Sequence, residues 1–143
     1  MKFTARNENE LVENIWSVLT KKVAPSIKIG LTGDLGSGKT TLVKGLAQKL
    51  GIKEPVTSPT FTISKQYNTN DNKWPILRHL DLYRFDDISK RDLEEISEII
   101  NLENGLIAVE WIENMPKLFE LMDFHIKIKV GQKYERQVEV TDL

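Results

Sequence analysis

Cysteine is absent from the 143 residues, which excludes disulfides, zinc–thiolate sites, iron–sulfur clusters and a thiol nucleophile together. Long apolar runs are absent too. No stretch approaches the roughly 18–20 apolar residues of a membrane span, and Met1-Lys2-Phe3-Thr4-Ala5-Arg6-Asn7-Glu8 holds no core of a secretory signal. The expectation is a cytoplasmic protein without membrane contact. Nor is there an excess of one charge: 20 Lys and Arg stand against 21 Asp and Glu, a net of −1. A general nucleic-acid binder needs surplus positive charge to displace counterions, so this balance argues against one. Repeats and low-complexity linkers are missing as well. With 40% hydrophobic and 29% charged residues, the chain reads as one globular domain over 1–143, neither disordered nor fibrous.

What is present is unevenly laid out. Residues 21–53 hold seven Lys against Asp34 alone, whereas residues 81–98 hold seven acids against three bases. The first segment invites an anionic ligand; the second reads as a solvated face or a partner-facing one. Apolar residues at helical spacing, from Leu11 through Ile15 and Leu19 to Val23, predict a helix over 8–23, capped by Asn7 with Glu10 and stopped by Pro25. A strand is expected at 26–32 and a second helix at about 39–50, with Gly51 as its C-terminal stop. Strand-like runs at 60–67 and 76–83 flank a polar turn, and an acidic helix is expected at roughly 89–101. Leu106–Trp111 is nearly all apolar, as in a strand buried on both faces. The alternation from Phe124 to Val140 around Gly131 predicts a closing β-hairpin. The whole is α/β: a mixed, mostly parallel central sheet flanked by helices.

Between the strand at 26–32 and the helix after it lies Gly33-Asp34-Leu35-Gly36-Ser37-Gly38-Lys39-Thr40, which fits G-x-x-x-x-G-K-[ST], the P-loop pattern. The chemistry needs this order of parts. Glycines let successive backbone N–H groups turn inward around phosphate oxygens, and the helix N-terminus adds its positive dipole end. Lys39 then reaches the β- and γ-phosphates, and the Thr40 hydroxyl is placed to ligate Mg²⁺.

Such a site needs an acid, commonly at the end of an apolar strand. Glu110 ends Leu106-Ile107-Ala108-Val109-Glu110, at the edge where α/β sheets hold ligands. Asp81 lies within His79-Leu80-Asp81-Leu82-Tyr83-Arg84. Either can take the metal while the other orients the attacking water; the preferred assignment puts Glu110 on the metal and Asp81 on the water or just behind the metal's direct ligands. Ser58-Pro59-Thr60-Phe61-Thr62 falls where P-loop switch proteins carry a threonine that senses the γ-phosphate, though a Pro-stiffened turn has the same look. Arg84 suits either dispersed phosphoryl charge or a surface ion pair. His79 and His125 read as fold residues rather than ligands. Trp16 reads as core, and Trp111 as core or as a border of the nucleotide or of a partner; Trp74, in a polar insert, has no clear place.

Taken together, the loop Gly33 to Thr41, then Ser58-Pro59-Thr60-Phe61-Thr62, His79-Leu80-Asp81-Leu82-Tyr83-Arg84 and Val109-Glu110-Trp111 closely resemble the TsaE family, also called YjeE. These are small bacterial P-loop ATPases of tRNA threonylcarbamoyladenosine biosynthesis, and the motifs stand in the family's order and spacing over nearly the whole chain. The resemblance implies ATP and Mg²⁺ binding, slow hydrolysis, and action with a TsaD-type transferase and its TsaB-type paralogue, tRNA being reached through that complex. It implies that Gly33, Gly36, Ser37, Gly38, Lys39, Thr40 and Thr41 cradle the phosphates, and that Thr40 and Glu110 hold Mg²⁺. It makes Lys39, Asp81 and Glu110 the catalytic set, with Thr60 in a switch-like loop and Arg136 as a nucleotide contact. One departure is visible. The family's threonine before the first helix gives way here to Asn7-Glu8-Asn9-Glu10, so its base-side contact does not carry over. Two other readings share the loop. A small-molecule kinase lacks its basic lid here, and an interaction module that only binds ATP differs from an ATPase in turnover alone.

Overall fold

In the computed structural model, residues 1–59, 63–85 and 90–143 are described. Thr60 and the acids Asp86 and Asp87 therefore lie outside the described residues.

Helix α1 (Glu8–Thr20) begins as its capping pair predicts: Asn7 Oδ1 accepts the Glu10 N–H at 2.8 Å, and Glu10 reaches back to the Arg6 N–H at 2.8 Å. It stops at Thr20, three residues short of expectation, and Val23 is left 98% exposed rather than on the buried face. Helix α2 (Lys39–Lys49) and helix α3 (Lys90–Ile100) lie close to their predicted bounds. The strands are β1 (Lys2–Ala5), β2 (Ser26–Thr32), β3 (Ser64–Asn68), β4 (Ile76–Asp81), β5 (Gly105–Glu110), β6 (Phe124–Val130) and β7 (Arg136–Asp142). They form one sheet in the order β1-β7-β6-β2-β5-β4-β3. Its centre, β6-β2-β5-β4, is parallel; β3 and β7 run against it, and β1 pairs antiparallel with β7. The sheet is mixed and mostly parallel, with the predicted hairpin formed by β6 and β7. Strand β1 had no sequence signal of its own.

Side chains alternate across the sheet, and β5 shows it most clearly. Leu106 and Ala108 join the core under α1 and α2, with Leu11, Ile15, Ile29, Leu42 and Leu46. Ile107 and Val109 join the opposite core, with Leu80, Ile96, Ile100, Ile112 and Met115. That parity decides the site: Glu110 on β5, and His79 and Asp81 on β4, share the α1–α2 side with Leu106 and Leu77. Trp74 is buried too, its ring edge-on to Trp16 at 5.7 Å and its indole N–H donating to the Ala24 carbonyl at 3.3 Å. No helix of the described residues is long and apolar enough to cross a membrane.

Candidate functional site

The glycine-rich loop leaves the C-terminal end of β2 and enters α2, at the edge of a parallel sheet where α/β proteins bind ligands. The chain is bent to fit. Gly36 and Gly38 have φ of 79° and 115°, and Gly38 caps α2 in a left-handed conformation with no side-chain cap. The first bond of the helix runs from Leu42 N–H to the Gly38 carbonyl at 2.9 Å. The N–H groups of Lys39, Thr40 and Thr41 therefore precede the helical ladder and face the loop. A Cβ at Gly33 would stand 2.4 Å from the Ile128 carbonyl and 2.5 Å from Ser37 Oγ, so only glycine fits where the loop leaves the strand.

Lys39 is buried and folds back on the loop, donating to the Gly33 carbonyl and to the Asp34 carbonyl at 3.0 Å. Its ammonium sits 4.2 Å from the centre of the Trp111 ring. Burial pulls its pKa below the ordinary 10.5, against the opposing pull of Glu110, Glu113, Asp81 and Asp34. Trp111 has φ of 60°, uncommon for a bulky residue. This turns the chain sharply after Glu110 and sets the indole over Lys39, with Tyr83 5.1 Å away on its other contact.

Thr40 Oγ1 donates to the Glu110 carboxylate, 2.8 Å from one oxygen and 3.0 Å from the other. The residue pair selected from the sequence, 70 positions apart, is thus in direct contact. Asp81 lies across from Glu110 in the β4–β5 register, held by Ser58 Oγ at 2.7 Å and by the Tyr83 N–H at 3.0 Å. Arg136, at the start of β7, donates from Nε to the Ser37 carbonyl at 2.6 Å and from Nη1 to the Tyr134 carbonyl at 2.6 Å. It ties the β6–β7 turn to the loop. Gly36, Ser37, Gly38, Lys39, Thr40, Thr41, Asp81, Glu110 and Arg136 all line one cleft of about 620 Å³, walled further by Leu35, Ser58, Pro59, Tyr83, Arg84 and Trp111. Gly33 lies behind Lys39 rather than on the cleft wall. Thr60 belongs to the segment outside the described residues.

Two residues of this neighbourhood carry no site role in the sequence reading: His79 reads there as a fold residue, and Glu113 is not considered. His79 is fully buried and reaches the Glu110 carboxylate at 2.5 Å. Glu113, just beyond β5, has its pKa raised by burial, against the opposing pull of its own backbone N–H, the Lys39 charge, the Thr32 side chain and the Gly33 backbone. Both surroundings depend on which strands are neighbours, which no local spacing reveals.

The arrangement can do two things chemically. Its loop N–H groups and Lys39 suit the oxygens of a polyphosphate. Its paired hard oxygens, from Thr40 and Glu110, suit a divalent cation such as Mg²⁺, which takes few protein ligands and completes its shell with phosphate and water. Among the described residues no three His, Asp or Glu side chains gather into a metal cluster.

Known proteins resemble this chain over nearly its whole length. The chain is 38% identical over 141 residues to the tRNA threonylcarbamoyladenosine biosynthesis protein TsaE of Nostoc sp., covering 97% of this chain and 83% of that one. It is 41% identical over 117 residues to the Bacillus subtilis protein of the same name, covering 82% and 70%. The crystal structure of Bacillus subtilis YdiB superposes with a TM-score of 0.71 at 30% identity, covering 99% of this chain and 84% of that one. The family model described as threonylcarbamoyl adenosine biosynthesis protein TsaE matches residues 5–138, and the chain belongs to the TsaE family.

Proposed function

We propose that this protein binds ATP with Mg²⁺ and hydrolyses it slowly, as a subunit required for threonylcarbamoyl modification of the adenosine next to the anticodon in tRNAs reading codons that begin with A. The observation that carries the reading is the contact of Thr40 with Glu110 at the mouth of the glycine-rich loop, beside Lys39. Lys39 leaves its two carbonyls for the β- and γ-phosphates when nucleotide enters, exchanging weak neutral acceptors for charged ones. Thr40 and Glu110 hold the metal. Bound Mg²⁺ supplies charge neutralisation on the phosphate oxygens. Asp81, steadied by Ser58 and the Tyr83 N–H, orients the attacking water and takes its proton as the bond from phosphorus to the ADP oxygen breaks.

The likeness to proteins named for threonylcarbamoyladenosine biosynthesis supports the place of this ATPase beside a TsaD-type transferase and a TsaB-type paralogue. Net charge −1 fits tRNA being held by those partners. Turnover of ATP by the purified chain, alone and with the transferase pair and tRNA, tests the reading. Lys39→Ala is expected to lose nucleotide affinity by about tenfold or more, while Glu110→Ala keeps binding and loses about 100-fold in turnover. A Glu110→Ala protein that has lost turnover yet fully supports tRNA modification would leave ATP binding, not hydrolysis, as the function.

A further inference from the structure

The β4–β5 register sets Asp81 directly beside Glu110, on the same face of the sheet. Two carboxylates in that relation repel each other, so something must keep their head groups apart. Asp81 is held by Ser58 and the Tyr83 N–H. Glu110 is drawn the other way along the sheet, onto a residue two positions earlier in β4. Its Oε2 lies 2.5 Å from Nε2 of His79, while both its oxygens remain within 3.0 Å of Thr40 Oγ1. A carboxylate oxygen only accepts, so the hydrogen of this bond belongs to Nε2.

Packing alone does not account for a histidine here. His79 is fully buried, and its Nδ1 has no hydrogen-bond partner among the described residues. A half-satisfied buried ring is unfavourable, and the same strand meets its packing needs elsewhere with Leu77 and Leu80. What an apolar side chain could not do is bond Glu110.

We propose that His79 is a positioning residue for the metal-binding acid: its Nε2–H holds the Glu110 carboxylate beside Thr40 and away from Asp81, so that the two acids keep separate tasks. This rests on the ATPase reading above. Losing an outer partner that orients a metal's ligand typically costs about 10- to 100-fold in metal affinity or activity.

The test measures two quantities on the full chain with a fluorescent, non-hydrolysable ATP analogue: its affinity without metal, and the Mg²⁺ concentration giving half of the metal-dependent gain. His79→Phe fills the space without a donor, and His79→Gln keeps an N–H at about the reach of Nε2. The Phe variant should keep metal-free affinity within about twofold, while half-saturation by Mg²⁺ rises about 10- to 100-fold. Gln should recover most of that loss. A merely structural role would move both quantities together and would not distinguish Gln from Phe. If the Phe variant melts below the assay temperature, His79→Met, adaptable and without an N–H donor, takes its place. Unchanged Mg²⁺ half-saturation in a folded donor-less variant, or no recovery by Gln, overturns the proposal while leaving the ATPase reading intact. A wild-type chain whose nucleotide binding ignores Mg²⁺ overturns both.

Discussion

Glu113 shows how far one residue's surroundings can shift what its type suggests. It sits on the 3-10 turn after β5, with Oε1 buried and without a partner among the described residues. Burial pushes its carboxyl above the ordinary 4.5, outweighing the opposing pull of its own backbone N–H, the Lys39 charge, Thr32 and Gly33. A carboxyl raised in this way binds more protons in the folded chain than in the unfolded one. Its contribution therefore favours the fold below the unfolded value and is lost as pH rises through the folded value. Glu113→Gln removes that dependence and places an amide at the empty position. The melting temperature of the variant relative to wild type should climb as pH rises from about 4.5 and then level off. A thermal-unfolding series on both proteins checks it; a difference that is flat or falling with pH contradicts it. At this scale the sequence was informative wherever chemistry is local. Lys39 and Thr40 follow from one loop pattern, and Glu110 from one strand end. His79 and Glu113 were not legible, because their partners sit on other elements and come near only once the strand order is known.

The helices of the α1–α2 layer approach each other at a glycine with no turn to make. A Cβ at Gly45, in the middle of α2, would lie 2.2 Å from Val12 Cγ2 on α1, so the α2 backbone packs directly against the Val12 side chain. Alanine is the better helix former by about 1 kcal/mol, yet here overpacking should win. Gly45→Ala is expected to destabilise by about 1–3 kcal/mol, and Val12→Ala in the same chain should return part of that loss by vacating the space. Chemical denaturation of the single and double variants measures the coupling; strictly additive losses would show that the contact does not limit the packing. Elements were readable in proportion to how much of their signal is their own. The stripes of α1 and α2, the doubly buried β5 and the β6–β7 alternation stand in the local pattern. The end of α1 was misplaced because Val23 continues the spacing without any core to meet. Strand β1 has four residues and takes its ladder from β7, whose partner positions lie more than 130 residues away. The burial of Trp74 depends equally on Trp16, not on the polar residues around it.

At the scale of the molecule, the sheet order gathers into one cleft groups scattered from Gly36 to Arg136. The central strand β2 carries the loop, β5 and β4 bring the acids to one side of it, and β6 leads into the turn from which β7 sends Arg136 back to the Ser37 carbonyl. The uneven charge of the sequence acquires a location in this way: the lysine-rich segment forms the loop and α2, and the acidic segment starts at Asp81 in the cleft. A ligand held by three strands and a helix stabilises all of them against unfolding, because unfolding any one dismantles the site. Nucleotide with Mg²⁺ at about 100 times its Kd should therefore add about 2.7 kcal/mol, raising the melting temperature by roughly 5–10 °C for a chain of this size. Lys39→Ala, with affinity lowered about tenfold or more, should cut the rise to about half or less at the same concentration. Arg136→Ala should reduce it without abolishing it, since Arg136 bonds the loop's backbone and leaves the Lys39 ammonium in place. Calorimetry with and without nucleotide decides the matter: an unchanged melting temperature for the wild-type chain at millimolar nucleotide and Mg²⁺ would mean that the cleft is not a nucleotide site, whatever its shape.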